Sequence, residues 1–315
     1  MAFGPDGKSF ASAGQGGQVF RWTVGAAGEP TARAFPTSAR ALYSIEWSPD
    51  GTRLAAGAGD GQVFVLDSST GASVTGAIGG GTTQIVAALA YSPGAGRHLA
   101  VVGNSGQLSV FDAQTGQRAL GPLLPQHGYL SSVAFSPNGQ LVAAASEDAQ
   151  VLLWDARSGE PQNLGTGRSH AGALSGVGFG PDGRWLASCG LDGTVRLWDV
   201  QERRLAPEPL TAPGPIYSCA FAPDGRAVAS GGDGLVVLWD VASHPALHRS
   251  QLSIGISSLT AAPQAALSAI GSPDGSLRVW PMEQLAPDPP LPVHSRAINA
   301  ISVGADEKLL ATGSS

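Results

Sequence analysis

The sequence predicts an all-β chain assembled from copies of one four-stranded antiparallel sheet, and three observations carry that prediction. Glycine (44) and proline (23) are frequent enough in 315 residues to punctuate the chain with turns and to exclude long helices. A Pro-Asp-Gly-like turn recurs at Pro5, Pro49, Pro93, Pro137, Pro181, Pro223 and Pro263, with Ala305 in the same column, at steps of 40 to 44 residues. After a second turn in each copy the residues alternate with period 2, as in Thr194 to Trp198, the pattern of a half-buried strand.

Each copy begins with a short run that closes on an aromatic side chain (Trp47, Tyr91, Phe135, Phe179, Phe221), and this is the predicted first strand. The turn follows because proline presets φ and glycine accepts φ above zero. A run of small apolar residues supplies the second strand. A second turn, typified by Asp192-Gly193, leads into the alternating third strand. Residues Arg204 to Leu210 illustrate the weaker run that follows, where Pro207 and Pro209 suit an outer edge strand. Four antiparallel strands per unit of about 40 to 45 residues match a β-propeller blade, packed face to face with its neighbours around a central channel.

The units resemble the WD-repeat family of β-propellers. The resemblance rests on Trp154-Asp155, Trp198-Asp199 and Trp239-Asp240, each preceded by leucine. Trp22 and Trp280 keep the tryptophan but are followed by Thr23 and Pro281, whereas Leu66-Asp67 and Phe111-Asp112 keep the aspartate. Six residues ahead of the tryptophan column stand Asp60, Asp148, Asp192, Asp233 and Asp274, with Gly16 and Ser105 as exceptions. The resemblance implies that this aspartate bonds a histidine from the loop leading into the blade, a serine or threonine on the second strand, and the tryptophan. His170, Ser188, Asp192 and Trp198 form the one complete set; in the preceding copy, with His127, Asp148 and Trp154, Ala144 replaces the serine.

Seven units are expected over residues 1–293 and a partial eighth over 294–315. Phe3 occupies the column of Phe135, and the eighth copy stops after Thr312, so both ends are expected to cut a blade. The chain therefore reads as an excerpt of a larger multidomain polypeptide. Seven-bladed closure is the preferred architecture, and an eight-bladed ring with an incomplete last blade is the alternative.

Composition narrows the function. A net charge of -6 gives no polycation for a phosphate backbone, which argues against nucleic acid and anionic membranes as partners. No basic leader precedes an apolar core, and no run reaches the length of a membrane helix, so a cytoplasmic protein is expected. Two cysteines, Cys189 and Cys219, make neither a disulfide framework nor a zinc site from thiolates alone; in consecutive copies they read as small buried hydrophobes.

Candidate chemistry is largely absorbed by the repeat. Of 16 aspartates only Asp288 lies outside the three repeat columns, so turn chemistry accounts for the others. His244 and His248 have a ligand-like spacing, but Pro245 and the absence of a glutamate argue against zinc. Gly178, Gly180 and Gly183 spell a dinucleotide fingerprint by letters, yet a strand rather than a helix follows them. No catalytic residue, metal or cofactor is predicted.

What varies is the rim formed by the loops that lead into the first strands and join the second to the third. Arg40, Tyr43, Tyr129, Glu147, Leu191, Tyr217 and Arg296 are the candidate partner-binding residues there, tyrosine and arginine being the types enriched at binding hot spots. The expected function is a non-catalytic scaffold, or a sensory or docking module, that recognises a protein or peptide. The alternative is an enzyme or small-ligand binder with its site at the channel mouth. That alternative needs convergent ionisable groups on the innermost strands, where Glu46 is the only acidic residue.

Overall fold

The computed structural model describes residues 1–6, 8–24, 30–79, 84–124, 128–164, 170–222, 224–232, 235–242, 246–251, 258–262, 267–271, 276–281, 291–292, 298–303 and 310–314. They contain strands and no helix. The first sheet is Ala2–Phe3, Ser9–Ala13, Gln18–Val24 and Pro30–Pro36; the second is Leu42–Trp47, Arg53–Ala58, Gln62–Asp67 and Ser73–Gly79. The third is Val86–Tyr91, His98–Gly103, Leu108–Asp112 and Arg118–Leu123, and the fourth is Leu130–Phe135, Leu141–Ser146 and Val151–Asp155.

The fifth sheet is Leu174–Phe179, Trp185–Gly190 and Thr194–Asp199, with Arg204–Leu205 and Leu210–Thr211 both on its outer edge. The sixth is Ile216–Phe221, Ala227–Gly232, Leu235–Asp240 and Ala246–Gln251; the seventh is Ser258–Ala262, Leu267–Gly271, Ser276–Pro281 and Leu291–Pro292. Ile298–Val303 pairs with Leu310–Ser314 as an eighth, two-stranded sheet. All pairings are antiparallel between strands consecutive in the chain, apart from the second edge pairing of the fifth sheet.

Two outer edges depart from the expected four regular strands. In the fifth sheet Pro207 and Pro209 lack amide donors, and the outer strand is split into two short pieces that both pair with Thr194–Asp199. In the fourth sheet the outer edge consists, among the described residues, of one bridge between Trp154 and Pro161, supported by the Gln162 N–H donating to the Leu153 carbonyl at 2.7 Å.

First strands of successive sheets lie side by side, and that of the eighth sheet lies beside that of the first. They make a closed circuit, so the sheets radiate from a common axis. The second-strand column Leu54, Leu99, Val142, Leu186 and Val228 is fully buried between sheets. Hydroxyls on first strands tie the second, fourth and fifth sheets to the one that follows: Ser44 donates to the Val86 carbonyl (3.1 Å), Ser131 to Leu174 (2.8 Å) and Ser175 to Ile216 (2.7 Å).

The first turns form the opposite rim. Gly183 has φ of 71°, a conformation that an L side chain rarely adopts. A Cβ added at Gly51 would lie 3.1 Å from the Pro5 ring, at Gly139 3.3 Å from Pro93, at Gly183 3.6 Å from Pro137 and at Gly225 3.3 Å from Pro181. The turn glycine of one copy thus abuts the turn proline of the copy before.

Candidate interaction surface and the polar network behind it

The loop rim is built by backbone pairing between two loops of the same sheet. Gly59 N–H donates to the Ala41 carbonyl, Asn104 to Ile85, Glu147 to Tyr129 and Leu191 to Ala173, at 2.9 to 3.2 Å. Each second-to-third-strand turn is thereby fastened to the residues that start the first strand. Tyr129 and Glu147 are neighbours for this reason, and Leu191 stands beside the start of the fifth sheet.

Among the described residues, the exposed large apolar side chains are Tyr43 (51%), Tyr129 (51%), Leu191 (48%), Tyr217 (43%), Val74 and Leu124. The first four belong to the loop rim. Arg40 and Glu147 are also exposed there. Arg296 lies outside the described residues, as do His127 and His244, and nothing is described of the His248 side chain.

Behind Leu191 lies a chain of hydrogen bonds. The Trp198 indole N–H donates to Ser188 Oγ at 3.0 Å, and Ser188 Oγ is 2.8 Å from His170 Nε2. His170 Nδ1 is 3.0 Å from Asp192 Oδ2, while Asp192 also accepts the Ala171 N–H (2.8 Å), the Thr194 N–H (3.0 Å) and the Thr194 hydroxyl (2.8 Å). Burial pushes the His170 pKa down, against the pull of Asp192, so the imidazole is neutral. Neutral His170 can then donate from Nδ1 to the carboxylate and accept the Ser188 hydroxyl at Nε2, which satisfies every member. Burial opposes ionisation of Asp192, but its hydrogen bonds from Ala171, His170 and Thr194 outweigh it and hold the carboxyl below its ordinary range. The aspartate reaches serine and tryptophan through the imidazole rather than directly.

Thr194 escaped the sequence reading, although its place two residues after Asp192 matches a side chain that folds back onto a turn aspartate. Arg184 did too: its guanidinium pairs with Asp199 at 3.1 Å and lies 5.1 Å over the Trp185 ring. Simpler versions of the network occur in the first and sixth sheets, where Trp22 donates to Ser12 (2.9 Å) and Trp239 to Ser230 (2.8 Å).

The other carboxylates serve turns. Asp6, Asp50, Asp182 and Asp224 each accept a backbone N–H two residues on. Asp67, Asp112, Asp155 and Asp199 accept N–H groups two and three residues on. The Ser69 and Thr70 hydroxyls also bond Asp67 and hold its pKa at about 2. Glu46 differs: half-buried on a first strand, it is pushed up to about 7 by burial, offset in part by the chain's amino terminus. Among the described residues no cluster of three or more histidine, cysteine or acidic side chains could hold a metal ion, and no helix is long and apolar enough to cross a membrane.

The family pattern described as WD domain, G-beta repeat matches residues 31–67, 121–155, 161–199 and 208–240. The chain carries WD repeats in these four segments. As a WD-repeat chain it is 24% identical over 306 residues to the WD repeat-containing protein slp1 of Schizosaccharomyces pombe, covering 94% of this chain and 52% of that one. It is 28% identical over 177 residues to WD repeat-containing protein 1 of Xenopus tropicalis, covering 54% of this chain and 28% of the relative. It is 26% identical over 204 residues to the transcriptional corepressor LEUNIG_HOMOLOG of Arabidopsis thaliana, covering 50% and 24%. The WD-repeat chain thus spans about half the length of these relatives or less. None of these names denotes an enzyme.

Proposed function

We propose that this WD-repeat chain is a non-catalytic interaction module whose loop rim docks a protein or peptide. The observation that carries the reading is the placement of Tyr43, Tyr129, Leu191 and Tyr217, four of the six exposed large apolar side chains among the described residues, at one end of the circuit. Arg40 and Glu147 supply charge around them, and Arg296 belongs to the same proposed rim. A rigid set of sheets presenting aromatic anchors binds with little loss of side-chain entropy.

The closed circuit of first strands supports eight units rather than seven, with residues 294–315 contributing to the last. A role as the docking part of a larger cytoplasmic polypeptide, without affinity for nucleic acid or membrane, agrees with the charge and with the lengths of the relatives.

The test places a photo-cross-linking amino acid at Tyr217 and, in a second variant, at Val74 on an outer strand. Proteins from the source cell should be captured through position 217 and released by Tyr43→Ala with Tyr129→Ala, with affinity falling at least about tenfold. Equal capture through position 74, or capture indifferent to the tyrosines, would remove the rim from the assignment.

A further inference from the structure

Outside the rim, two thiols meet across the boundary between the fifth and sixth sheets. Cys189 sits on the second strand of the fifth sheet, fully buried, and Cys219 on the first strand of the sixth, half-buried. They share one inter-sheet core with Val195, Ile216 and Val228. The Cys189 sulfur beside it, together with burial, raises the Cys219 pKa well above its ordinary value.

The space between them is kept by Gly176, the partner of Cys189 in the ladder. A Cβ at this position would come within 3.1 Å of Cys189 Sγ and 3.9 Å of Cys219 Sγ. The neighbouring Ser175 hydroxyl, on the first strand of the fifth sheet, donates to the carbonyl of Ile216 on the strand that carries Cys219 and lies 3.5 Å from Cys189 Sγ, so the two sheets are clasped beside the sulfurs.

We infer that Cys189 and Cys219 are a modification site, a thiol pair that closes to a disulfide between the fifth and sixth sheets when a peroxide is the oxidant. Peroxide oxidises the Cys219 sulfur to a sulfenic acid and releases one water. Cys189 sulfur then attacks: the S–S bond forms, the S–O bond breaks, and the hydroxide leaves with the Cys189 proton as a second water. The two sulfurs are oxidised by two electrons in all, and the peroxide is reduced. The bond would join two sheets that otherwise hold each other only by packing and hydrogen bonds, and would remove freedom from the unfolded chain.

Hydrogen peroxide added to the whole chain should lower the intact mass by about 2 Da, give a peptide pair linked at 189 and 219 after digestion without reductant, and raise the melting temperature. The high thiol pKa predicts a reaction that quickens as pH rises. Cys189→Ser should leave Cys219 gaining oxygen instead, and Gly176→Ala should block closure while both thiols still titrate in denaturant. Oxygen adducts on Cys219 of the unaltered chain without the linked peptide, or dimers joined through Cys219, would overturn the inference. So would closure that proceeds unchanged in Gly176→Ala.

Discussion

The fourth and fifth sheets are consecutive copies of one motif and are held together differently. In the fifth, Ser188, His170, Asp192, Thr194 and Trp198 form a satisfied polar chain, and Gly193 takes φ of 75° at the second turn. In the fourth, Ala144 stands where Ser188 would, Ala149 is forced to φ of 66° where the fifth has glycine, and the outer edge is, among the described residues, one bridge. The repeat therefore tolerates loss of the network, since the interleaved apolar columns persist in both sheets, Val142 and Leu186 being fully buried. What the network adds is rigidity behind Leu191 and a liability: its buried groups have no alternative partners once one is removed.

That asymmetry predicts unequal costs. Ser188→Ala should be the most damaging, leaving the Trp198 N–H and His170 Nε2 unpaired and costing about 2–4 kcal/mol in urea unfolding; a loss below about 0.5 kcal/mol would show that the network contributes little. Next is pH. Glu46 is protonated more readily in the folded chain than its ordinary value of 4.5, at about 7. Stability should therefore fall as pH rises from 4.5 to 7, by up to about 3 kcal/mol, and Glu46→Gln should flatten the slope.

The fifth sheet should respond with the opposite sign. The depressed His170 pKa contributes stability that is complete above 6.5 and is lost as pH falls below it, and depressed Asp192 loses its share only at pH below 3.8. In a Glu46→Gln background, acidification below pH 6.5 should expose amides of residues 185–199 to hydrogen exchange before those of 141–155; simultaneous exposure would break the comparison. Smaller still, Ala149→Gly should stabilise by about 1 kcal/mol by relieving the left-handed alanine, measured as a higher urea midpoint. Smallest is Ala144→Ser, which offers Trp154 an acceptor and should raise the midpoint by a few tenths of a kcal/mol; a lowered midpoint would show that this site cannot accept a hydroxyl.

Much of this difference was legible in the sequence, because the repeat itself aligns Ala144 with Ser188 and places the four network residues at one spacing. The first-turn aspartates Asp6, Asp50, Asp182 and Asp224 were legible for the same reason, each bonding a backbone N–H two residues on. Other features depend on what lies across a boundary between sheets. The meeting of Cys189 with Cys219 and the space left by Gly176 involve residues brought together only when one sheet packs on the next. The exposure of Tyr43 and Tyr217 was read from loop position, but their grouping at one end follows from the circuit of first strands. The bridged edge of the fourth sheet had no sequence signal comparable to the prolines that split the edge of the fifth.

The succession of turn prolines against turn glycines has a consequence for how such an array changes over generations. Because each of these joints sets a proline ring of one copy against the turn glycine of the following one, a duplicated segment brings both halves of its own joint only if it is copied as an integral number of units. Gain or loss of whole units preserves every junction, whereas a breakpoint inside a unit that lost one half would leave a gap or a collision on that rim.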